Sequence, residues 1–231
     1  MTLHLLGAGA SKGLVTDLQA GFTAETGIDV ATYFNAVGAI RDKFLAAEPC
    51  DVVILSAALL DDLAARGLLL TGSIAPIGTV RTGVAVPAGH PAPAIATGDN
   101  LRAALLASRG IYVPDLQGST AGVHVMRVLR ALGIDQTIAP YLRPFPNGAI
   151  AMKHLAAAAE ENPIGLTQIT EIKYSPGLTL LGPLPEAHGL STLYAAAVAA
   201  RTAQPDAALA LVALLTGPGS RDLRAASGFE S

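Results

Sequence analysis

Two glycine-rich turns stand where a strand gives way to a helix, and both have the makings of an anion seat. The first, Gly7-Ala8-Gly9-Ala10-Ser11-Lys12-Gly13, follows the apolar run Leu3 to Leu6. A dinucleotide fingerprint needs a third glycine where Lys12 stands. A phosphate-binding P-loop needs Gly-Lys followed by Ser or Thr, and here Ser11 precedes Lys12. Both nucleotide readings fail. What remains is a turn that opens a helix, where four unpaired N–H groups and the helix dipole favour a small anion; close packing of strand on helix is the competing explanation. Gly9, Ala10 and Ser11 are the candidate contacts, with Asn35 after the second strand. The second turn, Gln117-Gly118-Ser119-Thr120-Ala121-Gly122, places two adjacent hydroxyls beside two glycines. One hydroxyl caps the helix, which leaves the other for a ligand.

Other polar groups gather around this second turn. His124 lies one helical turn beyond it. Arg81 precedes a strand and has the planar fork that pairs with a carboxylate. Gln168, Thr170 and Glu171 follow the strand Ile164 to Thr167, and ligands collect at such carboxyl ends in open α/β sheets. Each has an ordinary structural alternative: a solvated helix histidine, a surface arginine, and a glutamate paired with Arg81 or Lys173. The histidines are scattered without an i, i+4 pair or a cysteine partner, so no metal site is expected. No cofactor motif is present, and Cys50, the single cysteine, reads as a buried thiol.

The elements that must position these groups follow from the apolar pattern. Strands at 3–6, 28–34 and 51–55 alternate with helices closed by Gly27 and Gly67, an order that implies a parallel sheet covered on both faces. After Thr79 a second α/β unit begins, with strands at 83–86, 111–113 and 164–167 and helices at 101–108, 121–132 and 150–160. The tail has a strand at 192–198 and helices at 206–215 and 220–226. The expected division is a first lobe of 1–79 plus 183–231 and a second of 80–182. The chain has 231 residues, 51% hydrophobic and 14% charged, which supports two such cores. With a net charge of −3, no basic run and 4% aromatics, nucleic acid is not an expected partner. No apolar run is long enough to cross a membrane. No basic, apolar, cleavable leader is visible, which suits a cytoplasmic chain as written, or a periplasmic one from which an export signal has been removed.

Taken in order, Leu5-Leu6-Gly7-Ala8-Gly9-Ala10-Ser11, Phe22-Thr23-Ala24-Glu25-Thr26-Gly27-Ile28-Asp29-Val30, Cys50-Asp51-Val52-Val53-Ile54-Leu55-Ser56 and Leu215-Thr216-Gly217-Pro218-Gly219-Ser220, closing on Gly228-Phe229, resemble the molybdate-binding branch of type II periplasmic binding proteins over nearly the whole length. The resemblance implies an α/β fold of two lobes with a hinge and an interlobe cleft, and an ABC permease as partner if the protein is exported. In that branch two serines and a tyrosine hold the oxyanion, and the matching places here carry Ala10, Val37-Gly38 and Gln168. The set Arg81, Ser119 with Gly122 and His124, and Gln168 with Glu171 is similar to a subgroup of the same branch. It suits a carboxylate better than a tetrahedral oxyanion. The expected function is therefore binding of a small organic anion, with Gly9, Ala10, Ser11, Asn35, Arg81, Ser119, Thr120, His124 and Gln168 as contacts. The alternative is a cofactor-independent isomerase or tautomerase of a small carboxylate, in which His124 and Glu171 move the proton.

Overall fold

The computed structural model describes residues 1–230. In chain order its elements are β1 (Thr2–Ala8), α1 (Lys12–Thr26), β2 (Asp29–Asn35), α2 (Val37–Leu45), β3 (Val52–Ser56), α3 (Ala57–Ala65), β4 (Ala75–Pro87), α4 (Gly98–Ala107), β5 (Ile111–Pro114) and α5 (Thr120–Ala131). There follow α6 (Asp135–Ile138), β6 (Leu142–Phe145), α7 (Gly148–Ala156), β7 (Ile164–Gln168), α8 (Ile169–Tyr174), β8 (Leu178–Pro183), β9 (Ser191–Val198), α9 (Pro205–Thr216) and α10 (Arg221–Ser227). The chain packs as two compact units, Met1–Val80 with the tail from Thr192, and Arg81–Ser191.

The first unit is built on β2-β1-β3-β9. The first three strands run parallel, with Ala8 opposite Asn35 and Leu5 opposite Val52, and β9 pairs antiparallel with β3. Val52 to Leu55 is a continuous apolar run because helices cover both faces of the sheet, and all four residues are buried. Leu14, Phe22, Ile40, Phe44, Leu60 and Leu211 close the core from the helices. Helix α1 ends where Gly27 turns left-handed at φ 70°, a conformation in which a Cβ would be strained. Cys50 is buried, and burial pushes its thiol up to about 12, so it is a packing residue and not a nucleophile.

The second unit has strand order β8-β4-β7-β5-β6. Strands β5, β6 and β7 are parallel, while β7 and β8 flank β4 antiparallel. Two of these strands were not expected from sequence. β6 carries Pro144, and β8 carries Gly182 and ends in Pro183. Both lie at sheet edges, where a missing donor or side chain is tolerated, so residues that argue against a strand occur inside real ones. The return to the first unit also comes later than Pro183. The Leu184 N–H donates to Thr82 O at 3.0 Å, and the Thr82 N–H donates to Leu190 O at 3.0 Å, which ties the intervening loop to the second unit.

One face of this sheet carries an aromatic stack. Tyr112 lies over Phe145 with centroids 5.9 Å apart, and Phe145 over His154 at 4.4 Å. The Tyr112 hydroxyl donates to both Glu160 oxygens, at 2.9 and 2.8 Å. Burial, then the Glu160 carboxylate, pushes its pKa from 10.0 up to about 12. A raised folded-state pKa gives stability that is complete below the unfolded value and lost as pH rises through the folded one. The wild type should therefore lose stability relative to Tyr112→Phe between pH 10 and about 12. Paired urea melts across that range check this; a constant difference would show that the phenol titrates alike in both states.

Candidate functional site

Parallel strands deliver every following helix N-terminus to one edge of a sheet, the carboxyl edge. In the first unit this edge gathers the exits of β1, β2 and β3. The chain leaves β1 through a single 3-10 turn, Gly9–Ser11, and enters α1 directly. Asn35 ends the neighbouring strand opposite Ala8, so the 9–11 turn and Asn35 are brought together as expected. The details differ. Ser11 is fully buried, and its hydroxyl donates to Ala8 O at 2.8 Å. Its side chain holds the turn closed, and Ala10 is buried as well. What the turn can present is backbone N–H, not a hydroxyl. The Asn35 side chain accepts the Ala36 N–H at 2.9 Å and donates to the Tyr33 hydroxyl at 3.1 Å.

In the second unit the same edge gathers the exits of β5, β6 and β7, leading to α5, α7 and α8. Ser119 is the cap of α5: it is buried, and its Oγ accepts the Gly122 N–H at 3.2 Å. Thr120, the first helical residue, is half-buried, and its hydroxyl bonds to nothing among the described residues. Gly122 packs so closely on the exit of β5 that a Cβ there would lie 2.1 Å from Asp115 O. The Asp115 carboxylate accepts the N–H groups of Gln117 and Gly118, ahead of the helix and not from its first turn. Gln168 ends β7, buried and paired with Thr82 of β4.

Glu171 joins two of these helices. It is the third residue of α8, and its carboxylate reaches back to the N–H of the cap residue Gln168, as in a capping box. The same carboxylate accepts the N–H groups of Gly148 and Ala149 at the start of α7, and the Thr167 hydroxyl at 2.5 Å. Gly148 lies against it so tightly that a Cβ would fall 1.9 Å from Oε2. Burial pushes the carboxyl up from its ordinary value, by more than these four donors pull it down. One buried carboxyl group thus serves the N-termini of both α7 and α8. This geometry makes Glu171 a structural group and not a base open to substrate.

The remaining candidates are placed less favourably for chemistry. His124 is half-buried, and its Nε2 lies 2.8 Å from His188 O. A carbonyl only accepts, so Nε2 carries the proton and ties α5 to the 3-10 turn Glu186–His188. Arg81 is exposed and lines a hollow of ≈870 Å³ together with Ala92–Ala96, Leu181–Glu186, Gly189 and Ser191. None of Ser119, Thr120, His124 or Gln168 takes part in that hollow. The structure therefore brings Ser119, Thr120 and Gln168 to one edge, and Arg81 lies there as well, since the next residue, Thr82, pairs with Gln168 across β4 and β7. Sequence reasoning missed Asn147, which caps α7 by accepting the Ile150 N–H at 3.0 Å, and the neighbouring Gly148 and Thr167. The signal was available: Asn-Gly after Pro146 and before an apolar helical run is a helix-start pattern. Among the described residues no cluster of histidine, cysteine and carboxylate side chains has the makings of a metal site, and no helix is long and apolar enough to cross a membrane.

Known proteins share this architecture. The Azotobacter vinelandii periplasmic molybdate-binding protein superposes with a TM-score of 0.81 over 99% of both chains at 18% identity. The sulfate-binding protein of Mycobacterium tuberculosis H37Rv does so at 0.77, covering 99% of this chain and 86% of that one at 16% identity. In sequence, an aconitate isomerase from Pseudomonas sp. is 27% identical over 220 residues, 93% of this chain and 82% of that protein. The family model for bacterial extracellular solute-binding proteins matches residues 3–230. With that span matched and the mixed α/β type II periplasmic-binding-protein fold in place, the chain belongs to the bacterial extracellular solute-binding protein family.

Proposed function

We propose that this protein binds a small organic anion through its carboxylate groups, using helix N-termini at the carboxyl edges of its sheets. One observation carries the reading. Helices that begin away from these edges, α4, α6, α9 and α10, each hold an acid in the first turn, namely Asp99, Asp135, Asp206 and Asp222. Those acids balance the positive end of the helix dipole internally. Of the edge helices, α1, α2, α3, α5 and α7 have none, and α8 alone has one, Glu171. In a chain of net charge −3 this pattern leaves positive helix ends open to an external anion at the edges. The two serines and the tyrosine that would suit a tetrahedral oxyanion are lacking, with Ala10, Val37-Gly38 and Gln168 at those places, so molybdate should bind weakly. The proposed contacts are the backbone donors of the 9–11 turn with Asn35 in the first unit, and Ser119, Thr120 and Gln168 in the second.

A second reading, an isomerase acting on an unsaturated carboxylate, is favoured by the relative named aconitate isomerase. Geometry argues against the two expected proton carriers, since His124 holds His188 O and Glu171 is enclosed by four donors. Calorimetry with cis-aconitate, trans-aconitate, citrate, sulfate and molybdate tests the binding reading. The expected result is micromolar affinity for a carboxylate and none measurable for molybdate; the reverse order would overturn it. Proton NMR of cis-aconitate incubated with the protein tests the second: appearance of the trans isomer would establish turnover. A loss of carboxylate affinity in Arg81→Ala, with Thr120→Val unaffected, would move the seat to the Arg81 hollow.

A further inference from the structure

The closing Gly228-Phe229 pair takes no part in the edges described above. It belongs to the tail of the first unit. Helix α10 stops at Gly228, whose φ of 100° suits glycine and strains other residues, and the chain turns back. The Phe229 N–H then donates to Arg224 O at 2.9 Å, and Glu230 exchanges both backbone hydrogen bonds with Thr79 of β4 at 2.7 Å. Gly78 permits this approach, since a Cβ there would lie 2.8 Å from Glu230 O. The tail is thereby pinned to β4. Beside it, α10 and the starts of β4 and β9 line a cavity of ≈290 Å³. That is close to the lower end of small-molecule sites, about 300–1,000 Å³. Neither the 9–11 turn nor Asn35 lines it.

Two chemistries meet in this lining. Ile77 and Phe229 are buried and supply an apolar wall, while Leu193 of β9 lines the cavity with 44% of its surface open to water. Arg221 and Arg224 also line it, three residues apart on α10. Arg224 is committed to the fold: its Nη1 donates to Leu215 O, Gly217 O and Ser220 Oγ and so closes the end of α9. Arg221 is exposed and has neither an ion pair nor a hydrogen bond with another described residue. The one acid in the lining is Glu230.

We propose that this cavity is a second ligand site, for a small monocarboxylate with an apolar or aromatic body. The carboxylate pairs with the Arg221 fork, and the body covers Leu193 against Ile77 and Phe229. A tricarboxylate fits poorly, because it brings extra charge toward Glu230 and little hydrocarbon to bury. The pinned tail forms its wall before the ligand arrives, which lowers the cost of binding. The site goes beyond the anion-binding reading above and does not depend on it.

The test uses 3-phenylpropionate, titrated into the full chain and followed by backbone-amide NMR. Saturable shifts should appear at Ile77, Thr79, Ala225 and Phe229, and should persist in excess trans-aconitate. 3-Phenylpropionamide, which has the same shape without the charge, should bind at least about tenfold more weakly, the usual loss of a charge-assisted pair. Arg221→Ala should lose as much, and as an exposed side chain without a described partner it is not needed for folding. Ala225→Phe, at an exposed position of α10, should fill the cavity and block the probe. Absence of binding, equal affinity for acid and amide, full affinity in either variant, displacement by trans-aconitate, or shifts confined to the 9–11 and 117–122 turns would each overturn the proposal. None of these outcomes bears on whether trans-aconitate itself binds, which calorimetry decides separately.

Discussion

Glu171→Ala should lower the free energy of unfolding by about 3–5 kcal/mol, because several buried donors lose their shared acceptor at once. The carboxylate is buried and answers the Thr167 hydroxyl and the backbone N–H groups of Gly148, Ala149 and Gln168. Alanine leaves those donors without an acceptor and without water, and each such orphan costs about 1–3 kcal/mol before relaxation. Part of this is offset, because the polar carboxyl group no longer has to be kept out of water. Glu171→Gln should lose less, since its carbonyl oxygen still accepts. Urea unfolding monitored by circular dichroism measures both. A loss below about 1 kcal/mol for the alanine variant would mean that water reaches the two helix ends and that the carboxylate is not what holds them.

Gly122→Ala should destabilise by about 3 kcal/mol, at the top of the range for overpacking. A Cβ at this position would lie 2.1 Å from Asp115 O and 2.7 Å from Pro114 O. Both are backbone atoms at the exit of β5, so no side chain can rotate aside, and α5 must lift off the strand. The same lift pulls the Gly122 N–H from Ser119 Oγ and spoils the cap. The change should therefore also abolish carboxylate binding at α5, in whatever fraction stays folded. Gly219→Ala is a useful comparison, because nothing lies within 4 Å of its Cβ position; it should change stability by under about 0.5 kcal/mol. Equal unfolding midpoints for the two variants would show that α5 has slack against β5.

How far each feature could be read without coordinates depends on the range of the interaction that creates it. The strand-helix alternation of the first unit, the left-handed stop at Gly27 and the two glycine-rich helix openings are local. Apolar period, a C-terminal glycine and a capping hydroxyl act within a few residues, so composition and spacing determined them. The pairing of hydroxyls in Ser119-Thr120 was legible for the same reason, with one engaged in the cap and its neighbour not. The edge strands β6 and β8 were hidden, because Pro144, Gly182 and Pro183 are tolerated only by virtue of lying at a sheet edge, and edge position is a property of the assembled sheet. The roles of individual polar groups were decided by tertiary structure alone. Ser11 looks like a free hydroxyl in the sequence and is enclosed against Ala8 O. His124 looks available and is held by a carbonyl 64 residues away. Glu171 looks like a base beside a ligand, yet its carboxylate meets the start of a helix that begins 23 residues earlier at Gly148. A side chain's chemistry follows from what satisfies its hydrogen bonds, and over such separations the partner is chosen by the packing of strands and helices, not by the neighbouring letters.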